Sequence, residues 1–219
     1  NPVAVLSNKA MIEIPSQFSD LPPINPATSI RKNLRNWNGI QGLADDVKYY
    51  GEWMKNEAEK RIGQLYPKIK ITRELVKDRL DLKKYEGEEL VPVCWLWART
   101  VKSINPSFNH IDVPLTNTFL LSTKSGKETY IQPIIKDDSY TFKVIKGKPQ
   151  DLAMTKLGTS AGKRSAFRCL MSGEPIGYEY IRKEAQAGRM KSKLMAIIVQ
   201  GEGERLYLSP NSEQESAAN

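Results

Sequence analysis

The stretch LVPVCWLWARTV at residues 90–101 decides the fold class, because its hydrophobic pattern has a period of two. Val91, Val93, Trp95 and Trp97 fall on one side of an extended chain, and β-branched and aromatic residues are typical of strands. We therefore predict a strand here. Further strands are predicted at residues 116–123, 128–135, 140–145, 194–200 and 205–208, with KDDS at 136–139 as a hairpin turn.

Before this stretch, the apolar residues recur with the spacing of α-helices. Pro2 suits a first helical position and Asn1 suits a cap, which predicts a helix over residues 2–14. A long amphipathic helix is predicted over residues 42–65, and we expect its apolar stripe to lie in the hydrophobic core. The apolar members of the stripe are Leu43, Val47, Tyr50, Met54, Ala58, Ile62 and Leu65, with Trp53 beside them.

The order of these elements predicts an α+β fold. N-terminal helices are followed by an antiparallel sheet, with one short helix at residues 178–187 that ends at Gly188. This order does not fit a doubly wound sheet. The charged residues 72–89 form either one irregular helix or a mobile arm, and the tail NSEQESAAN at 211–219 is predicted to be disordered.

Composition excludes several protein classes. Hydrophobic residues make up 40% of the chain and charged residues 26%, as is usual for a globular protein. No apolar stretch approaches the roughly 20 residues that cross a bilayer, and no signal sequence is present at the start. The chain also has only two cysteines, whereas secreted proteins often carry more for disulfides. We therefore expect a soluble cytoplasmic protein that does not enter a membrane.

The residues able to perform catalysis are few. Cys94, Cys169 and His110 are the only cysteines and histidine, and three such side chains cannot supply the four ligands of a structural zinc site. A catalytic triad would need His110, which lies in the polar stretch NPSFNHID and is predicted to have a surface or capping role. No carboxylate pair or nucleophile–base pair supports a hydrolase.

The positive charge is concentrated in one segment. The chain carries a net charge of +8, and residues 143–193 contain twelve basic and four acidic residues, which accounts for the whole excess. Basic residues that neutralise phosphates release condensed cations, which drives DNA binding. The alternative is a basic solvated surface that keeps the protein soluble, and composition does not decide between the two.

Five stretches together resemble one protein family. They are NPVAVLSNKAMIEIP (1–15), ADDVKYYGEWMKNEAEKRIGQLYP (44–67), CWLWARTV (94–101), FLLSTK (119–124) and AGRMKSKLMAIIVQG (187–201). In this order they are similar to large prokaryotic adenine-specific DNA methylases that carry an inserted zinc ribbon and often lie near phage-defence genes. The resemblance spans nearly the whole chain.

The resemblance implies that the chain is an interior segment of such an enzyme. Residues 1–28 would end the cofactor subdomain and form a linker, and 29–89 would be a helical region. Residues 90–210 would be the antiparallel β-rich insertion, and 211–219 the disordered tail. The intact parent would use S-adenosylmethionine, with its cofactor motif before Asn1 and its catalytic motif beyond Asn219. We expect this chain alone to bind no cofactor and to be catalytically incompetent, although Asn1 would lie near the cofactor ribose.

The resemblance also implies a degenerate zinc ribbon. The family has one cysteine pair near Ser103 and Phe108 and another at Cys169 and Ser172, and only Cys169 is a cysteine here. Serine hydroxyls are poor zinc ligands, so we expect no zinc. The ribbon would survive as two hairpin-like knuckles held by packing, and Cys94 would be a buried strand residue.

These expectations lead to two functional hypotheses. The first is a DNA-contacting accessory module of the methylase, with DNA and the remainder of the enzyme as partners. The second is a structural or protein-interaction module of a phage-defence complex, docking through residues 15–26 or 72–89. Under the first hypothesis, the residues predicted to contact phosphate are Lys163, Arg164, Arg168, Arg189, Lys191 and Lys193.

Overall fold

A computed structural model of the chain describes residues 1–29, 37–162 and 166–217 and divides it into two compact units. The first unit is Asn1–Gln64 and the second is Leu65–Asn219. Helices and antiparallel sheets are both present, which confirms the α+β class. Within the described ranges, no helix is both long enough and apolar enough to cross a membrane.

The first unit consists of helices. The two helices predicted from hydrophobic periodicity are present, and Asn1 caps the first by accepting a hydrogen bond from the Val3 amide at 3.0 Å. A π-helical segment, Lys9–Glu13, continues the first helix, and a 3₁₀ turn, Gly63–Leu65, follows the last. The α-helices are α1 Pro2–Asn8, α2 Ile14–Gln17, α3 Pro26–Ser29 and α4 Gln41–Ile62.

The loop before α3 is tied to the first turns of α4. The Asp46 carboxylate accepts hydrogen bonds from the backbone amides of Ile24 and Asn25 at 3.0 and 2.8 Å. The buried Asn25 side chain donates to Asp45 at 2.7 Å. Gly42 is needed at this contact, because a Cβ atom there would lie 2.1 Å from the Leu21 carbonyl oxygen. The covered face of α4 is therefore a polar one.

The apolar stripe of α4 is exposed. Val47 is 65% exposed, Trp53 55% and Met54 64%. Neither hydrophobic core cluster includes a described residue of the first unit. The prediction that this stripe belongs to the core is therefore wrong for the described chain, because the loop covers the helix through Asp45 and Asp46 instead.

The described residues of the second unit form four antiparallel sheets. The largest has the strand order β11-β10-β3-β4, the next has the order β5-β6-β7, and β1-β2 and β8-β9 form two-stranded pairs. The hairpin predicted at KDDS is confirmed as the turn between β6 and β7. The strands are β1 Ile69–Lys70, β2 Glu89–Leu90, β3 Pro92–Lys102, β4 Asp112–Leu115, β5 Leu120–Ser122, β6 Thr129–Lys136, β7 Ser139–Lys146, β8 Phe167–Arg168, β9 Pro175–Ile176, β10 Lys191–Gln200 and β11 Arg205–Leu208.

The strand predicted at residues 116–123 is wrong in its extent. Strand β4 ends at Leu115 and β5 begins at Leu120, with a turn between them. The turn is stabilised by threonine hydroxyls, since Thr116 Oγ1 donates to the Thr118 carbonyl at 2.8 Å. The remaining helices of the unit are α5 Arg73–Asp78, α6 Leu152–Leu157, α7 Tyr178–Gln186 and α8 Ser212–Ala217.

Strand β3 packs against a hydrophobic cluster on each face. Ala98 belongs to the larger core cluster and Leu96 packs against it, while Trp95 and Trp97 pack against the smaller one. The larger core cluster comprises Ala98, Val101, Ile111, Val113, Phe119, Ile131, Tyr140, Phe142, Val144, Cys169, Ile176, Met195 and Ala196. The smaller core cluster comprises Ile69, Ile71, Val76, Leu82, Tyr85, Leu90, Leu194, Ile197, Val199, Leu206 and Leu208.

Residues 72–89 form neither one irregular helix nor a mobile arm, because Arg79 has a non-helical backbone between two short helices and Glu89 begins β2. Helix α5 is followed by a 3₁₀ helix, Leu80–Tyr85. Leu82 and Tyr85 are buried in the smaller core cluster, and the Tyr85 hydroxyl accepts a hydrogen bond from the Glu202 amide at 3.0 Å. The boundary between the two units lies after Gln64. It divides residues 29–89, which were predicted from the sequence to be one helical region.

The tail after β11 is ordered through residue 217. Gln214 on helix α8 is completely buried. Its side-chain amide accepts a hydrogen bond from Trp95 Nε1 at 2.9 Å and donates one to the Pro67 carbonyl at 2.8 Å. The prediction of disorder is wrong for residues 211–217, because one amide satisfies two distant polar groups. Residues 218 and 219 lie outside the described chain.

We expect the substitution Gln214→Ala to lower the free energy of unfolding by about 1–3 kcal/mol, because it leaves the Trp95 indole N–H and the Pro67 carbonyl without this partner. Urea denaturation followed by tryptophan fluorescence measures the change. Ser216→Ala is the matched control, since Ser216 is exposed on the same helix. Equal stabilities for the two variants would contradict the structural role of Gln214.

Candidate nucleic-acid interface

The predicted phosphate contacts come from several elements. Lys163 and Arg164 lie outside the described residues. Arg168 is exposed on β8 and makes no ion pair within the described chain. Arg189 follows the turn after α7, and Lys191 and Lys193 begin β10. Three of the six predicted residues are therefore neighbours at one end of the largest sheet.

Arg189 is engaged by a carboxylate of its own chain. Its Nε and Nη2 atoms donate to Glu184 at 2.9 and 2.6 Å, a bidentate pair between the end of α7 and the following turn. The hydrogen bond from Arg189 lowers the pKa of Glu184, although desolvation of the carboxyl opposes this. Glu184 therefore stays ionised and neutralises Arg189, which reduces the charge that Arg189 offers to a phosphate.

Lys191 and Lys193 also have interaction partners within the chain. Lys191 Nζ lies 3.8 Å from Asp112, whose other oxygen pairs with Lys102 at 3.1 Å. Lys193 Nζ lies 4.5 Å from the centre of the Tyr140 ring and donates to the Tyr140 carbonyl at 3.3 Å. Burial raises the pKa of the Tyr140 hydroxyl, which donates a hydrogen bond to the Asp112 carbonyl. This end of the sheet is thus closer to neutral than its lysines and arginine indicate.

Other basic residues of the segment 143–193 form ion pairs with acidic residues elsewhere in the chain. Lys143 pairs with Asp78 at 2.7 Å, and Lys146 lies 3.5 Å from Asp81. Both acids come from the segment 72–89, far outside the basic segment in sequence. The local excess of charge is therefore partly neutralised by folding.

The structure brings the two predicted knuckles together. Ser103 Oγ donates a hydrogen bond to the Cys169 sulfur at 3.4 Å, although the two residues are 66 positions apart. Burial raises the pKa of the Cys169 thiol, but hydrogen bonds from the Ser103 and Ser172 hydroxyls and from the backbone amides of Ser172 and Met171 outweigh it and lower the pKa. The Cys169 sulfur is therefore surrounded by donors.

Each knuckle is a short loop closed by backbone hydrogen bonds. In the first knuckle, residues 103–111, the Ser103 amide donates to Ile111 at 3.0 Å, and Phe108 packs against the larger core cluster. In the second knuckle, residues 169–174, the Cys169 amide donates to Glu174 at 2.9 Å and the Gly173 amide to Cys169 at 2.9 Å. Gly173 has φ of +73°, which a glycine adopts without strain.

These residues do not fit a zinc ion. One thiol, two hydroxyls and a phenyl ring stand at the four positions where the resemblance places cysteines, and neither serine nor phenylalanine is a zinc ligand of the usual kind. Among the described residues, no group of three or more His, Cys, Asp or Glu side chains is arranged to hold a metal.

Three further residues singled out from the sequence have other roles. Cys94 is exposed, so its predicted burial is wrong; its cross-strand neighbour Ile198 is itself only half-buried at that end of the sheet. His110 is exposed, with Nε2 3.2 Å from the Asp138 carbonyl oxygen, as expected of a surface residue. The Asn1 side chain caps α1, and this geometry does not point to a cofactor.

A second group of cations was missed by the sequence reasoning. The side chains surround a pocket of about 270 Å³ in the second unit, here called the basic pocket. Only one of its cations comes from residues 143–193, so no local charge run marks the pocket. The pocket is lined by Arg79, Asp81, Ser122, Lys124, Lys127, Thr129, Lys146, Gly203, Glu204, Arg205, Leu206 and Tyr207.

Comparisons with known proteins add no relative: no protein-family model, no curated protein and no solved structure matches the chain.

We expect Ser103→Ala to raise the pKa of the Cys169 thiol, because the variant lacks a hydroxyl that stabilises the thiolate. Thiolate absorbance against pH, in a Cys94→Ser background, measures the shift. A lowered folded pKa adds stability above the unfolded thiol pKa and loses it as pH falls through the folded value. The variant should therefore lose more stability at alkaline than at neutral pH.

Ser107→Ala is the matched control for this measurement, since Ser107 lies exposed in the same knuckle and only its backbone amide is bonded, to Asn105. A thiol pKa that is the same in the Ser103 and Ser107 variants would contradict the assigned hydrogen bond.

Proposed function

We propose that the chain is a segment of an S-adenosylmethionine-dependent adenine-specific DNA methyltransferase. Within that enzyme it serves as a DNA-contacting accessory module and is not catalytically competent by itself. The observation that carries this proposal is the meeting of the two knuckles at Ser103 and Cys169. It supports the resemblance independently of the five matching stretches, because no sequence match determines which residues touch.

The contact between the knuckles is one that the ribbon hypothesis leads us to expect. The resemblance assigns cysteine pairs to positions 103, 108, 169 and 172 before any geometry is considered. Ser103 donates a hydrogen bond to Cys169, Ser172 contributes to the lowered pKa of the same thiol, and Phe108 packs against the cluster that contains Cys169. Backbone amides that point at a sulfur are also what a metal-binding thiolate needs for its second shell of hydrogen bonds.

The role proposed for the module is binding and not methyl transfer. Transfer requires the methyl donor and the flipped base to be held together in a near-attack geometry. The resemblance places both sets of holding residues outside this chain, and Asn1, the nearest candidate, is used as a helix cap. S-adenosylmethionine therefore belongs to the proposed parent enzyme.

Restoring the cysteines tests the assignment to this family. We expect the triple variant S103C/F108C/S172C, together with the native Cys169, to bind one zinc ion per chain, because four thiolates would converge in two facing knuckles. Zinc per protein after dialysis, and the d–d absorbance of a cobalt-substituted sample, measure binding and tetrahedral geometry.

The matched control for zinc binding is S107C/F108C/S172C, which has equally many cysteines but places one at the exposed Ser107 position. Absence of zinc in a folded S103C/F108C/S172C protein, or equal binding in both variants, would overturn the ribbon assignment.

A salt titration tests DNA contact. We expect duplex DNA to bind with a logarithm of affinity that falls linearly with the logarithm of salt concentration, by about 0.9 per phosphate contacted. Fluorescence anisotropy of a labelled duplex measures this slope. The control is the same duplex with an uncharged methylphosphonate backbone, which should bind far more weakly. No binding at low salt would overturn the DNA-contacting role of the isolated chain.

A second candidate function is a structural or protein-interaction module of a phage-defence complex. The exposed apolar stripe of α4 favours it, because Val47, Trp53 and Met54 leave a large hydrophobic surface in solvent. Binding driven by such a surface would depend weakly on salt, whereas binding to phosphate depends on it steeply. The slope of the titration therefore separates the two candidates.

A further inference from the structure

We infer that the basic pocket is a binding site for a phosphate group. The source of that phosphate, the backbone of DNA, rests on the function proposed above. Without that function, the same chemistry would accept a free phosphate compound. None of the six residues predicted from the sequence to contact DNA lines this pocket.

The pocket is formed where several elements of the second unit meet. Ser122, Thr129 and Lys146 are direct cross-strand partners on β5, β6 and β7, so their side chains share one face of that sheet. The turn before β11 adds Gly203, Glu204 and Arg205, and the segment before β6 adds Lys124 and Lys127. A volume of about 270 Å³ is ample for a tetrahedral phosphate with its flanking atoms.

The pocket has more positive than negative charge. Its cations are Arg79, Lys124, Lys127, Lys146 and Arg205, and its only two carboxylates are Asp81 and Glu204, an excess of three positive charges. Such an excess in a concave site concentrates the positive potential and attracts anions.

Both carboxylates are already occupied by hydrogen bonds and ion pairs. Arg79 Nε and Nη2 bind Asp81 at 2.8 and 2.9 Å, and Lys146 lies 3.5 Å from it. Glu204 accepts from Lys84 and Lys127, each at 2.8 Å. The carboxylates therefore have little attraction left for the remaining cations.

The remaining cations are Lys124 and Arg205. Both side chains are exposed, and neither makes an ion pair within the part of the chain that the structure describes. Lys124 precedes β6 and Arg205 begins β11, and both line the pocket together with the paired Glu204. A phosphate entering the pocket would give both of them a partner, through charge-assisted hydrogen bonds.

Two of the lining cations are held by partners before any ligand arrives. Arg79 is nearly buried and also donates to the Tyr207 carbonyl at 2.9 Å. Hydrogen bonds from Lys127 and Lys84 lower the pKa of Glu204 to about 2, so this carboxylate stays ionised at neutral pH and holds Lys127 in place. A pre-ordered site spends less conformational entropy on binding, which increases affinity.

Hydroxyl groups complete the lining. Ser122 Oγ accepts a hydrogen bond from the Lys124 amide at 3.4 Å, which leaves its own O–H proton available to a ligand. Phosphate oxygens accept such donors readily, and hydroxyl contacts to phosphate recur in proteins that bind DNA. The combination of free cations, fixed cations and a hydroxyl donor is the chemistry that a phosphate requires.

The test is the double variant K124Q/R205Q, which removes the two unpaired charges and should preserve the fold because neither side chain has an ion-pair partner to lose. We expect its affinity for duplex DNA at low salt to fall at least about tenfold, and its salt slope to decrease by about 0.9, the contribution of one phosphate contact. The matched control is Lys70→Gln with Arg182→Gln, two exposed cations outside the pocket lining.

Inorganic phosphate is the second probe. Titrating it into isotope-labelled wild-type protein should shift the amide resonances of Thr129 and Gly203 saturably, and the shifts should be lost in K124Q/R205Q. Wild-type DNA affinity in K124Q/R205Q would overturn the pocket as the DNA contact and leave the proposed function standing. No DNA binding by the wild type, with saturable phosphate binding, would overturn the proposed function and support a free phosphate compound as ligand. Failure of both probes would overturn the site itself.

Discussion

The pairing of β3 with β10 is the constraint on which the second unit depends. The ladder runs from Thr100 opposite Lys191 to Pro92 opposite Val199, in the middle of the four-stranded sheet. Its side chains enter a hydrophobic cluster on each face, so neither core can form without it. Each fully buried aliphatic or aromatic side chain contributes about 1.5–3 kcal/mol, and the ladder places apolar residues on both faces.

An irregularity in this ladder distributes residues between the two cores. The register shifts between Leu194 and Ala196, which leaves Met195 without a direct partner. Strict alternation would put Met195 and Ala196 on opposite faces, yet both belong to the larger core cluster, while Leu194 and Ile197 belong to the smaller one. An extra residue in a strand has this effect. Cys169 belongs to the same cluster, so packing contributes to holding the second knuckle in place.

Local sequence patterns predict the parts of this fold whose partners are close in sequence. The period of two at residues 90–101 predicts β3, and the KDDS turn predicts the β6–β7 hairpin. The burial of Gln214 could not be predicted, because its partners Trp95 and Pro67 are more than a hundred residues away and it has no hydrophobic signal. The stripe of α4 was identified correctly as apolar, but periodicity indicates only which face is apolar and not what covers it.

The candidate site could not be predicted from local sequence patterns either. The charge of a segment is set by composition, whereas attraction for phosphate depends on the cations that folding leaves unpaired. Arg189 lies in the basic segment and is neutralised by Glu184, while Lys124 and Arg205 lie outside that segment and keep their charge. Exposed ion pairs are individually weak, so a partly solvated pair such as Lys191 with Asp112 could still yield to a phosphate. An unpaired cation beside a carboxylate that already has other partners meets no such competitor, which is why we place the phosphate site in the basic pocket and not in the most basic stretch of the sequence.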